Sequence, residues 1–146
     1  MSSGRSRRRK ATSPRSIRLT LVSAIVVVAG VVYLMVGMAQ LLQPEWYFEN
    51  LAAFEPYNRL DIGLAGSLLL PLGVVMIIAS QHPSENRLVI GMGASAAVLM
   101  IFNQWYGAAT GEFQTADHSL LIISLIALTL ALLWAFWQIR PRLRNR

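Results

Sequence analysis

The residues with chemistry to offer gather at one end of the apolar segments of this chain. Gln40 and Gln43 close the first segment, Asp61 opens the second, and Asn103, Gln104 and Tyr106 close the third. Asp117 and His118 precede the fourth. Amides, a phenol, carboxylates and an imidazole placed together would form a polar pocket opening to one side, able to bind a quinone head group or a lipid. The plainer reading is interhelical hydrogen bonding with ordinary polarity at a membrane boundary, because a buried amide such as Asn103 needs partners. Glu112, Asp117 and His118 set no defined metal geometry, since two are adjacent and the third is loosely spaced. No metal site is expected and no cofactor is required, with quinone the one candidate.

Several chemistries are excluded outright. The chain has no cysteine, which removes thiol redox work, thiolate metal sites and disulfides. His82 and His118 fall on opposite sides of the expected threading, so one chain cannot ligate a haem iron through both. No ionisable side chain lies within the apolar part of a segment, where proton pumps, ion-coupled carriers and voltage sensors keep theirs. No complete catalytic set is present, and no catalytic residue is assigned.

The elements that must position these residues are four apolar stretches, at about 19–42, 59–80, 88–109 and 119–139. A helix rises ~1.5 Å per residue, so each is long enough for a hydrocarbon core of ~30 Å. Mean hydropathy is +0.50, and only 14% of the 146 residues are charged. Soluble domains carry about 25% charged residues to cover their surface. The fold class is therefore an all-α membrane protein, a four-transmembrane-helix bundle in one membrane domain (19–139) between basic tails (1–18 and 140–146).

The tail 1–18 carries seven Lys/Arg and no acid, which predicts disorder. It serves as a topology signal, with anionic lipid as a second partner. Gly37 and Ala39 could frame a signal-peptide cut, but the apolar run before them exceeds the usual ~7–15 residues, so the first span is expected to stay. Residues 43–58 predict a short amphipathic helix lying on the membrane, with Pro44 at its first position and Tyr47, Leu51 and Phe54 on one side. Asn58 and Asp61 fit a capping box for the second span. Ser84 is a candidate cap for the third.

Helix packing is expected from small residues: Gly63, Gly66 and Ser67 in the second span, and Gly91, Gly93, Ser95 and Ala97 in the third. The third helix is expected to be the most centrally packed. Pro71, mid-span, is a candidate kink or hinge. Trp134, Phe136 and Trp137 form an aromatic belt at the end of the fourth span.

All thirteen Lys/Arg lie in the tails, at Arg59 and at Arg87, whereas six of seven acids lie in the two loops on the other side or at their edges. The positive-inside bias puts both termini and the 81–87 turn in the cytoplasm, with the cell membrane as location. Basic residues that flank spans in this way do not make a nucleic-acid face. The expected partners are the bilayer and other membrane proteins, or further copies of the chain.

Four short spans, a longer connector after the first, and the run Pro56-Tyr57-Asn58-Arg59 with Asp61, Gly63 and Gly66 resemble the DoxX-like membrane proteins. The likeness covers about 40–139 in layout. It implies a four-helix membrane fold and a quinone-linked redox subunit. Where that family often has a histidine near the outer end of the third helix, this chain has Asn103 and Gln104. Three functions stand at this point: a non-catalytic accessory subunit of a membrane complex, a quinone-associated redox subunit, or a lipid or small-solute carrier hinged at Pro71. The first is preferred.

Overall fold

The computed structural model describes residues 14–47, 49–50, 58–110 and 119–139. Its elements are all helical: α1 (Pro14–Leu42), α2 (Pro44–Tyr47), α3 (Arg59–Ala79), α4 (Arg87–Thr110) and α5 (Ser119–Gln138). By length and composition, 16–42, 59–79 and 87–106 can each cross a membrane, and α5 is apolar over the shorter run Ile122–Gln138. The chain is a helical membrane protein.

Local chemistry accounts for the helix ends. α1 begins at Pro14 rather than at Leu19, because a proline at the first helical position gives up only an amide that has no intrahelical acceptor. Pro44 opens α2 for the same reason; the part of the expected surface helix with Leu51 and Phe54 lies outside the described residues. Asn58 caps α3, its Oδ1 accepting from the Leu60 amide at 3.0 Å. The cap expected at Ser84 is instead Asn86, whose carbonyl accepts from the Ile90 amide at 3.3 Å. The turn before it folds around the His82 carbonyl, which accepts from the amides of Glu85 and Asn86 and from the Asn86 side chain. α3 runs through Pro71 as one continuous helix, with the proline on its exposed side.

The buried positions of α3 are Ile62, Gly66, Leu69, Gly73, Met76 and Ala79. From Ile62 to Met76 they recur at alternating steps of four and three, the repeat that winds helices around each other with left-handed packing. On α1, Val22, Val26, Ala29 and Tyr33 follow the same steps. The two seams meet antiparallel at four glycines. A β-carbon on Gly73 would stand 2.7 Å from the Gly30 carbonyl oxygen, and one on Gly30 would stand 2.9 Å from the Gly73 carbonyl oxygen. Gly37 and Gly66 repeat the arrangement one heptad away, at 3.0 and 2.8 Å. Only glycine fits at such separations, and the approach permits backbone Cα–H···O contacts worth ~0.5–1 kcal/mol each.

This contact corrects the expected packing. Gly63 has nothing within 4 Å of where its β-carbon would stand, and Ser67 is exposed with its hydroxyl donating to the Leu64 carbonyl. Gly66 alone of that trio is at an interface, because the seam of α3 passes through 62, 66 and 69. Ser95 on α4 is likewise exposed, whereas Gly93 and Ala97 are buried and Gly91 lies against the Phe136 ring. The tightest pairing is α1 with α3, followed by α4 with α5. α1, not α4, is the helix that the others gather around.

Three hydroxyls within the bundle are paired across helices or locally. Tyr33 of α1 is 1% exposed and donates to the Gly93 carbonyl of α4 at 2.6 Å. Ser23 donates to the Ser80 carbonyl at 2.6 Å, and Thr129 donates to the Leu125 carbonyl one turn back.

Gly73→Val should lower stability by about 1–3 kcal/mol, since the β-carbons would force two backbones apart. Gly63→Ala should not lower it and should raise it by up to ~1 kcal/mol, since the site is open and alanine favours the helix. Reversible unfolding in mixed detergent micelles measures both, and equal losses would refute the assigned register.

Candidate functional site

Among the described residues, the polar end of the bundle encloses a site on the last turn of α1. Gln40 follows Gly37 on the buried face and is 8% exposed. Its β-carbon packs 3.0 Å from where a side chain on Gly66 would begin, so the glycine of α3 makes room for the amide. The first turn of α2 covers it, with Pro44 buried and Tyr47 half-buried. Tyr47 and Gln40 are hydrogen-bonded through their side chains. Burial pushes the Tyr47 phenol above its ordinary pKa near 10, and the bond to Gln40 opposes that in part. The Gln40 Oε1 is buried without a hydrogen-bond partner among the described residues. An acceptor left in that state costs about 1–3 kcal/mol, so the position favours a water or a hydroxyl donor.

The other residues of the expected pocket do not close around this point. Asp61, Asn103 and Tyr106 are exposed, and Gln104 is half-buried. His118, together with Glu112 and Asp117, lies outside the described residues. The structure therefore gathers Gln40, Tyr47 and Gly66 and leaves the polar end of α4 on the outer surface of the bundle. Among the described residues, no group of three His, Cys, Asp or Glu could hold a metal ion.

Asn103 is the notable case. The span of α4 is Arg87–Tyr106. At ~1.5 Å per residue, Asn103 lies about 10 Å from its middle, within a hydrocarbon half-thickness of ~15 Å. Its amide points away from the bundle and makes no hydrogen bond among the described residues. Beside it on α4, Leu99 and Phe102 are 66% and 60% exposed.

At the opposite end stands a second arrangement that sequence reasoning missed. The Arg87 guanidinium carbon lies 4.2 Å from the centroid of the Phe136 ring. Phe136 is thus turned inward, away from the belt formed by Trp134 and Trp137. The signal was present in Gly91, one turn after Arg87, where a side chain would meet the ring at 3.1 Å.

Comparison with family models, with characterised proteins and with solved structures finds no match to this chain.

Tyr47 yields a pH prediction. A phenol whose pKa is raised by folding contributes stability that is present below pH ~10 and lost as pH rises through the raised value. The tyrosinate absorbance of the folded protein should therefore develop later than that of the unfolded chain. Tyr47→Phe should remove part of the late-titrating component; an unchanged titration in this variant would refute the buried placement.

Proposed function

We propose that this chain is a four-span protein of the cell membrane with both termini in the cytoplasm, acting as a non-catalytic subunit of a membrane complex. The observation that carries this reading is the outward Asn103 amide. A primary amide at hydrocarbon depth has lost its water, and lipid tails offer it no donor or acceptor. A neighbouring transmembrane helix with a side-chain amide or hydroxyl supplies both. Such bonds between membrane helices contribute on average ~0.6 kcal/mol, up to about 2. The apolar side chains flanking Asn103 on α4 give the partner helix a surface to pack on.

Among the described residues, the enclosed Gln40–Tyr47 pair provides hydrogen bonds. The threading rests on the distribution of Lys and Arg, and α5 supplies the fourth crossing.

The full-length protein, extracted in mild detergent, should migrate as part of a larger assembly containing a second membrane protein. Asn103→Leu should release it, with helix content by circular dichroism unchanged. Recovery of the wild-type chain only as a partnerless species, or an assembly indifferent to Asn103→Leu, would count against this function.

A further inference from the structure

Arg87 is held in a way that a topology signal does not require. Among the residues whose side chains are described, Arg18 and Arg59 are exposed, while Arg87 is half-buried. Its Nε is fully covered and makes no hydrogen bond among the described residues. One face of the guanidinium lies over Phe136, and that ring reaches it because Gly91 has no side chain. Stacking on an aromatic face fixes the plane of the group but leaves its charge without a counter-ion. The nearest acid in sequence, Glu85, is exposed, and Arg87 forms no ion pair with any described residue.

The position gives the class of anion. Arg87 is the first residue of an apolar span, so its head lies where hydrocarbon meets head groups. A planar guanidinium accepts phosphate oxygens in a bidentate fork, and its burial between two helices raises the worth of each bond. Basic positions between membrane helices at this level suit anionic head groups. We infer that Arg87, oriented by Phe136 in the notch left by Gly91, is a binding site for the phosphodiester of an anionic glycerophospholipid. The site lies between α4 and α5 and is independent of the function proposed above.

The test uses the full-length protein in nanodiscs of mixed phosphatidylglycerol and phosphatidylcholine, transferred to native mass spectrometry to count retained lipids. The wild type should keep phosphatidylglycerol in preference to phosphatidylcholine. Arg87→Gln should reduce that retention about tenfold, as expected when charge-assisted bonds are lost. Arg87→Lys, which keeps the charge but not the fork, should fall between, as should Phe136→Leu. These two variants carry the comparison if Arg87→Gln loses its helical circular dichroism. Equal retention across the series, or no preference for phosphatidylglycerol in the wild type, overturns the proposal. Millimolar inorganic phosphate should leave the lipid in place; displacement would assign the site to free phosphate and overturn the lipid as its ligand.

Discussion

Backbone meets backbone where α1 crosses α3, and the rest of the bundle is arranged around that approach. Between membrane helices there is little hydrophobic gain, because the lipid tails displaced are as apolar as the side chains that replace them. Association then relies on close packing and on polar bonds. Gly30 with Gly73, and Gly37 with Gly66, place each carbonyl oxygen against the bare α-carbon of the opposite helix. The contact repeats after one heptad, so it fixes direction, register and the left-handed sense of the crossing together. Among the described glycines, only at these four would a β-carbon stand within 3.0 Å of a backbone oxygen of another helix.

Polar bonds then hold the second pair of helices to the first. Tyr33, three residues past Gly30, reaches across to the Gly93 carbonyl on α4. Gly93 can be so approached because it has no side chain, and the Met76 sulfur of α3 packs at 2.5 Å from where one would begin. One glycine thus serves as the junction of α1, α3 and α4. At one end of the bundle the same economy makes room for Gln40 beside Gly66, and at the other it admits Phe136 beside Gly91. Glycine positions in this fold decide where larger groups can lie.

The helical bundle was legible because its signals are summed over many residues. Apolar length, the absence of charge and the clustering of Arg at the margins locate the elements to within a few residues. Asn58 and Pro44 marked helix starts through local backbone chemistry. Packing was less legible, because small residues four apart attract attention while the pairs used here are seven apart. Gly63 and Ser67 fit the shorter motif yet face away, since the seam of α3 is set by Ile62, Gly66 and Leu69. The candidate site depended on which side of α4 carries Asn103. An amide in an apolar span can face a helix of its own chain or a helix of another, and composition gives both the same weight. Arg87 was read only for its charge, because a cation over an aromatic ring in another helix leaves no trace in local sequence.

A double-mutant cycle on Gly30→Ala and Gly73→Ala, measured by reversible unfolding of the full-length protein in mixed micelles, addresses the central contact most directly. If the two glycines face each other, the first methyl already separates the backbones and the second adds little. The double variant should then lose less stability than the sum of the single variants by at least ~0.5 kcal/mol, in the range seen for directly contacting residues. Losses that add within experimental error would show that the two positions do not meet, and the arrangement of α1 against α3 would be wrong.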